Sequence, residues 1–528
     1  MAHPRGSWSR RTVWIVCALV AAAFAPAPST ALAAGDDVTP FTVAAPAVTG
    51  PIPSTSTSFP FIADGFDVQP AVPAGYEEQE FFISGTARIY EYTTSGIRVV
   101  APCPAAVTTG CARVPYTTRM LVKRPIDHRR FSGTVVVEPL NPSAGFDLAP
   151  VWDRSRSYLV DTGDVFVGWT SKSVAVNALK GWDPARYAAL NWPYAPFVPG
   201  GNSGVFDGIT FDIAAQVGAL FRGNGPASPT RDLAVRRVFE AGFSQDGAFT
   251  FTQADVFHAL ERMPGGRGIY DGYFPGGTGG PSNLDFGLTP AGALPAADAR
   301  HRMQPREVPV IHVNTETEVA LGAAGGLPYR RPDSDRLDDR YRLWEVPGGS
   351  HVDSGEGIDN IGLDAQELLR MPAPSNNCVH MGLPGIVDPN TFPWRDVANA
   401  ALADLTMWVT LGVPPPRAGR VELTATTPAA VARDRFGNAL GGLRTPFLDV
   451  PTATYVPTDT ARPGGSFFCV LDGYNVPFDH ATLATLYRNH GQYVARVARE
   501  TAELVAEGFW LPRDARAVIE EAAHADVP

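Results

Sequence analysis

The stretch VRRVFEAGFSQDGAF, residues 235–249, decides the fold prediction, because an apolar strand runs here into a tight turn and a helix start. The strand ends near Gly242, Ser244 lies where the chain must reverse, and Gly247 lets the next element approach closely. These are features of a nucleophile elbow, a strained turn that lifts a serine hydroxyl clear of a sheet. In the strict G-x-S-x-G pattern the second glycine comes one residue earlier, where this chain has Asp246. We predict Ser244 as a nucleophile, with an ordinary strand-to-helix turn as the alternative.

Outside this stretch, strand patterns alternate with helical spacing, which predicts an α/β fold with a mostly parallel central sheet flanked by helices. Strands are predicted within 81–100 and at 117–123, 133–138, 164–169, 308–313 and 341–346, and helices at 211–221, 398–413 and 483–507. The pattern predicts a catalytic domain over residues 61–416. Within it, 251–307 is predicted to be a cap insertion whose glycine-rich run 276–280 is a flexible loop. Residues 417–528 are predicted to form a C-terminal extension packing on the catalytic domain.

Candidate partners for Ser244 follow it in the chain. A serine hydroxyl needs an adjacent base, and the base needs a carboxylate that fixes its tautomer. His351, in a glycine-rich loop after the last predicted strand, is the predicted base, whereas His312 lies inside a strand and is interpreted as a packing residue. Glu318, in the loop after an earlier strand, is the predicted acid, with Glu316 as the alternative. The order serine, acid, histidine is that of α/β-hydrolases.

Stabilising the oxyanion of an acyl-transfer reaction requires two backbone N–H donors. Gln245 directly follows the predicted nucleophile and is the first predicted donor, assisted by the helix N-terminus. The second is expected from the loop after the strand at 133–138. Asn141 is the assigned residue, and Leu140 and Ser143 remain alternatives.

The first residues are typical of an export signal rather than of a fold. Residues 1–34 combine a basic start, an apolar run and an Ala-Leu-Ala cleavage signal, which predicts a signal peptide cleaved near Ala33/Ala34. Residues 35–60 are predicted to be a flexible lead-in. The expectation is a secreted protein without stable membrane insertion. A net charge of −11 and the lack of basic runs argue against a nucleic-acid partner.

Cysteine usage fits an exported chain. Of the 5 cysteines, Cys17 is expected to be removed with the signal peptide. The other cysteines are even in number, which favours disulfides in an exported protein. Several pairings are possible, and Cys103–Cys111 with Cys378–Cys469 is the one predicted. Because no clustered Cys/His spacing exists, no metal is expected, and no cofactor is predicted.

Several segments carry a resemblance to a known family. They are GTVVVEPLN (133–141), ALKGWDPARY (178–187), GFSQDG (242–247), VNTETE (313–318), EVPGGSH (345–351) and DRFGNALGGLRTP (434–446). The chain resembles the secreted bacterial "alpha/beta hydrolase domain" family of esterase-like serine hydrolases, in which a G-x-S-Q-x-G elbow is typical. The acid loop of that family tends to read S-E-T-D, whose last acid falls on Glu318. Asp246 departs from the family's usual serine, and Gly349-Ser350 from its usual Thr-Ala.

The resemblance implies an α/β-hydrolase fold and ester-hydrolase chemistry. The predicted function is that of a secreted serine hydrolase that cleaves small or polymeric carboxylic esters through an acyl-enzyme; the oligomeric state is left open. An amide or peptide hydrolase on the same triad, or a catalytically silent binding protein of the same fold, are the alternatives. Tyr270, Tyr273 and Phe274, together with aromatic residues of the extension, are expected to line an apolar pocket over Ser244, the alternative being that they only pack.

Overall fold

A sheet of ten strands organises the part of the chain that the structure describes. The structure is a computed structural model that describes residues 38–61, 72–99, 113–193, 207–282, 284, 294–295, 297–353, 378–463, 465 and 468–528. The predicted signal peptide and the predicted Cys103–Cys111 disulfide lie outside these residues.

The secondary structure alternates between strands and helices. The strands are β1 Phe41–Thr42, β2 Ala47–Thr49, β3 Tyr76–Ala87, β4 Tyr90–Tyr92, β5 Ile97–Val99, β6 Val114–Pro125, β7 Thr134–Leu140, β8 Val165–Thr170, β9 Arg237–Phe243, β10 Glu261–Arg262, β11 Gly272–Gly276, β12 Val310–Thr315, β13 Ser334–Arg336, β14 Asp339–Val346, β15 Ala453–Val456 and β16 Tyr474–Pro477. The helices are α1 Pro150–Thr162, α2 Ser173–Trp182, α3 Thr210–Gly223, α4 Gln245–Thr252, α5 Glu316–Gly322, α6 Arg395–Leu411, α7 Pro446–Asp449, α8 Cys469–Asp472, α9 His480–Leu486, α10 His490–Glu507 and α11 Pro512–His524. A π-helical turn, Gln253–Phe257, follows α4 directly.

The main sheet is mostly parallel. Its strand order is β13-β14-β12-β11-β9-β7-β8-β6-β3-β2. The strands from β14 to β8 in that order run parallel to one another, whereas β6, β3, β2 and β13 pair antiparallel with their neighbours. The carboxyl ends of β9, β12 and β14 therefore meet at one edge of the sheet, which is where a ligand binds in an open parallel sheet.

Helices cover both faces of the sheet. Valines of β7 and β8 pack on one face with α2 and α3. On the other face, alternate residues of the same strands pack with α1 and α6, and the helices of the C-terminal extension join this second core. The predicted class, a mostly parallel sheet flanked by helices, is confirmed.

Two sequence predictions differ from the structure. The predicted cap insertion contributes β11, a central strand between β9 and β12, and its Tyr273 and Phe274 are core residues with at most 2% exposure. Tyr270 is equally buried and donates a hydrogen bond to the carbonyl of Ala214. These aromatic residues are therefore packing residues, and the interpretation as pocket lining was wrong. The glycines of this segment were interpreted as loop residues, but in β11 they allow close packing. A Cβ at Gly276 would lie 2.8 Å from the Phe243 ring.

The predicted lead-in, 35–60, also differs in the part that is described. Ala47–Thr49 forms antiparallel β2 at the end of the sheet, and Phe41–Thr42 pairs with β10. Backbone groups at the open side of β3 need partners, and β2 supplies them along residues 82–84.

The C-terminal extension is linked covalently to the segment that follows the histidine loop. Cys378 and Cys469 form a disulfide with a Cα–Cα distance of 5.4 Å, which confirms that predicted pair. No helix among the described residues has the length and apolar character needed to cross a membrane.

Candidate active site

Ser244 lies in a strained turn between β9 and α4. Its φ of 68° and ψ of −121° fall outside the regions that residues other than glycine usually adopt. Its N–H donates to the carbonyl of Gly276 at 3.0 Å. A Cβ at Gly247 would lie 2.0 Å from that same carbonyl oxygen, and one at Gly242 would lie 2.3 Å from the Asp246 carbonyl. Both glycines are thus required by close backbone contacts, of which the sequence predicted the one at Gly247.

Asp246 connects this turn to the loop after β7 through hydrogen bonds. Its Oδ2 accepts the N–H of Phe243 at 2.9 Å, and its Oδ1 accepts the side-chain amide of Asn141 at 2.7 Å. The same amide nitrogen donates to the carbonyl of Phe243 at 2.9 Å. Burial raises the pKa of Asp246 to about 8. The residue that replaces the family's usual serine therefore has a structural task behind the elbow.

The assignment of Asn141 as second oxyanion donor was wrong. Its backbone N–H donates to the carbonyl of Leu148 at 2.8 Å, and its side-chain nitrogen is held by the contacts just described. Ser143 donates its N–H to Asn141 Oδ1 at 2.8 Å. Leu140 is the remaining residue of the three considered. Gln245, the first predicted donor, is the first residue of α4.

Glu318 contacts the imidazole of His351. The distance from Glu318 Oε1 to His351 Nδ1 is 2.5 Å. The other carboxylate oxygen accepts both the N–H and the hydroxyl of Thr315 at 2.7 Å, forming a capping box at the start of α5. Burial acts to raise the pKa of Glu318, but His351 and the Thr315 hydrogen bonds outweigh it, and the net pKa is lowered. The carboxylate is thus held charged behind the imidazole.

Glu316 is oriented toward other groups. Its Oε2 accepts the N–H of Gly348 at 2.6 Å, and its Oε1 lies 2.6 Å from the guanidinium of Arg433. Burial raises its pKa, against the opposing effect of Arg433. Of the two glutamates considered, Glu318 is the one in contact with His351.

The imidazole of His351 lies beside the residue that precedes Ser244. Its ring centroid is 4.7 Å from that of Phe243, and the histidine is 6% exposed. The N–H of His351 donates to Thr317 Oγ1 at 2.9 Å, and its carbonyl accepts Arg154 Nη2 at 3.1 Å. The Arg154 guanidinium in turn lies 3.9 Å above the Phe243 ring. Packing and hydrogen bonds thus hold the histidine at the edge of the sheet where the strand of Ser244 ends.

His312, interpreted from the sequence as a packing residue, is fully buried inside β12. Its ring nitrogens contact the Tyr341 hydroxyl at 3.1 Å and the Thr278 carbonyl at 3.0 Å. Burial lowers its pKa to about 4. It remains neutral and bound within the core.

Sequence reasoning missed three residues around the site. Thr315 could have been found, because Thr315-Glu-Thr-Glu318 has the spacing of a capping box. Arg154 and Arg433 carry no local signal, since each reaches the site from a distant part of the chain. Within the residues that the structure describes, no group of three or more His, Cys, Asp or Glu side chains could hold a metal ion.

The sheet order, the strained serine turn and the acid and histidine loops at one edge define an α/β-hydrolase. The chain belongs to the alpha/beta hydrolase domain family, whose family model matches residues 48–520.

Solved structures to which the chain is similar include a dienelactone hydrolase from Anabaena variabilis, at 13% identity over 51% of this chain and 97% of that one, with a TM-score of 0.25. A Xanthomonas campestris protein described as an a/b serine hydrolase without lid is similar at 15% identity over 49% of this chain and 91% of its own, with a TM-score of 0.24. Est1E from Butyrivibrio proteoclasticus is similar at 8% identity over 54% and 96%, with a TM-score of 0.24. No curated protein matches the chain.

Proposed function

We propose that the protein is a secreted serine hydrolase that cleaves carboxylic esters through an acyl-enzyme. Ser244 is the nucleophile, His351 the general base and Glu318 the carboxylate that orients it. The observation that carries this proposal is the 2.5 Å contact between His351 Nδ1 and Glu318 Oε1, with the imidazole 4.7 Å from the ring of Phe243, the residue before a serine held at a φ of 68°. A carboxylate on Nδ1 favours the tautomer whose Nε2 can accept a proton.

In this reaction His351 Nε2 removes the hydroxyl proton as Ser244 Oγ attacks the ester carbonyl carbon. The carbonyl oxygen becomes an oxyanion, which the N–H of Gln245 and a second backbone donor near the end of β7 stabilise. The imidazolium then returns its proton to the departing alcohol. A water molecule, deprotonated by the same imidazole, releases the acid from Ser244 and completes the cycle.

Secretion is supported by two features. Residues 1–34 have the composition of a signal peptide, and Cys378–Cys469 is a disulfide of the kind that persists in oxidising compartments. Mass spectrometry of the mature N-terminus in culture medium tests this part, with a new start near Ala34 as the expected result. An intact leader in the cytosolic fraction would contradict it.

The chemistry is tested with p-nitrophenyl esters from acetate to palmitate beside a panel of anilides. We expect ester hydrolysis and labelling by a fluorophosphonate probe, with both lost in Ser244→Ala by roughly 10³-fold or more. Ser282→Ala is the matched control, because Ser282 has the same G-x-S spacing but lies outside a strand-to-helix turn. Retained activity in Ser244→Ala would overturn the proposal, and a preference for anilides would favour an amide hydrolase.

A further inference from the structure

Residues 421–441 of the C-terminal extension form two successive antiparallel turns that lie beside β14, the strand that leads to His351. Antiparallel bridges join Leu423 to Val431 and Arg433 to Ala439. The side chain of Glu345 in β14 accepts the N–H of Val421 at 2.9 Å, and the preceding Arg420 donates to the carbonyl of Leu343 at 2.7 Å. The carbonyl of Glu345 also accepts the N–H of Leu443 at 2.8 Å. This docking fixes where the Arg433 side chain can reach.

Arg433 reaches a carboxylate that has no exposed surface. The Glu316 side chain is 0% exposed, and that of Arg433 is 33% exposed. A buried carboxylate is strongly unfavourable unless charge and hydrogen bonds compensate for the lost hydration. Arg433 Nη2, at 2.6 Å from Oε1, supplies the charge, and the N–H of Gly348, at 2.6 Å from Oε2, supplies a hydrogen bond.

Glu316 holds the turn that carries His351 at two points. Its carboxylate accepts the N–H of Gly348, and its own N–H donates to the carbonyl of Gly349 at 3.0 Å. Gly348 has a φ of +84°, and a Cβ there would lie 2.9 Å from the Phe392 ring, so this turn has little freedom to rearrange. A displacement of Glu316 would therefore be transmitted to the histidine two residues beyond Gly349.

We propose that the ion pair between Arg433 and Glu316 positions His351, so that the C-terminal extension completes the geometry of the acid and base loops. The proposal rests on the proposed function of Ser244, His351 and Glu318. Arg433 and Glu316 are positioning residues, because neither contacts the imidazole. Arg433 acts by keeping the buried Glu316 charged and in place.

The test uses Arg433→Ala in the full-length secreted protein. The variant removes the cation that contacts the buried carboxylate, and we expect kcat for p-nitrophenyl butyrate to fall about 10- to 100-fold with KM little changed. Arg433→Lys should restore part of the loss, because an ammonium retains the charge. Arg417→Ala is the matched control, since Arg417 forms an exposed ion pair with Asp335 and its loss should leave kcat unchanged.

A double variant separates positioning from general destabilisation. Glu316→Gln keeps an oxygen acceptor for Gly348 and deprives only the partly exposed Arg433 of its ion-pair partner, so a loss of a few-fold in kcat is expected. In the Glu316→Gln background, Arg433→Ala should then cost almost nothing more. The proposal would be overturned if the fold-losses in kcat of the two single variants multiplied in the double variant. A wild-type kcat in Arg433→Ala would also overturn it.

A second measurement does not depend on ester turnover. The proton between His351 Nδ1 and Glu318 should give a downfield proton NMR signal, identified by its absence in His351→Gln. We expect this signal to be kept in wild type and Glu316→Gln and to be lost or shifted in Arg433→Ala, recorded well below the Tm of that variant, which should itself be lowered by the unpaired buried carboxylate. An unchanged signal in Arg433→Ala would refute the positioning role. Absence of turnover in wild type with the signal responding as expected would instead count against the proposed function alone.

Discussion

Replacing Glu318 with glutamine tests the acid of the proposed triad most directly. Two donors, the N–H and hydroxyl of Thr315, hold one oxygen of the side chain, and the other lies 2.5 Å from His351 Nδ1. A glutamine would place its oxygen toward Thr315, because the oxygen can accept from both Thr315 donors whereas the NH₂ can accept from neither. The amide NH₂ would then face Nδ1 and favour the tautomer that carries its proton on Nε2. That tautomer cannot take the proton of Ser244.

The size of the effect follows from charge and tautomer together. Two unit charges about 4 Å apart at an effective dielectric constant of about 20 interact by roughly 4 kcal/mol, which is roughly 10³-fold in rate. The unfavourable tautomer adds to this, and the total expected loss in kcat is about 10³- to 10⁴-fold. Glu316→Gln should cost only a few-fold, because Glu316 contacts Gly348 and Arg433 instead of the imidazole.

The assay compares initial rates on p-nitrophenyl butyrate for wild type, Glu318→Gln and Glu316→Gln, beside their apparent Tm values. A folded Glu318→Gln within tenfold of wild type, or a larger loss in Glu316→Gln, would refute the assignment. Reduced fluorophosphonate labelling of Ser244 in Glu318→Gln would support it independently of substrate choice.

Further predictions concern stability. Gly247→Ala places a Cβ 2.0 Å from a β11 carbonyl oxygen and should lower stability by about 2–4 kcal/mol with loss of activity, whereas Gly181→Ala, with no atom within 4 Å, should be neutral or slightly stabilising in thermal melts. Burial raises the pKa of Asp246 to about 8, so the folded state keeps a proton that the unfolded chain releases near pH 4, and this group lowers stability as pH rises between these values. The apparent Tm of Asp246→Asn should therefore improve relative to wild type from pH 5 to pH 8, and a constant difference would contradict this. Non-reducing peptide mapping should recover Cys378 bound to Cys469, and reduction should cost roughly 4–5 kcal/mol, because the bond closes a sequence separation of 91 residues.

Much of the sheet could be predicted because its strands carry local patterns. The predicted strands at 133–138, 164–169, 308–313 and 341–346 correspond to β7, β8, β12 and β14, with ends that differ by a few residues. These strands are buried on both faces and therefore read as continuous apolar runs. Strand β11 was missed because its glycines are also typical of loops, and only the neighbouring Phe243 ring explains the glycine at 276.

The candidate site likewise contains residues that the sequence could identify and residues that it could not. Ser244, Glu318 and His351 follow strands and could be identified from their place in the order of elements. The second oxyanion donor could not, because every residue except proline has a backbone N–H, and only the structure reveals which N–H groups are already bound. The prediction of Asn141 was wrong for this reason, since its N–H is bound to the carbonyl of Leu148 within its own loop.

The role of the extension was not readable from the sequence, because it depends on contacts between residues far apart in the chain. The hydroxyl of Thr317 donates to the carbonyl of Pro457 at 2.6 Å while accepting the N–H of His351, and Val352 donates to the carbonyl of Leu471 at 3.0 Å. A separation of 140 residues between Thr317 and Pro457 leaves no local pattern. Sequence reasoning therefore described residues 417–528 as packing on the catalytic domain. The hydrogen bonds place the same residues against Thr317, next to Glu318, and against Val352, next to His351, so a truncation before this segment would remove both bonds.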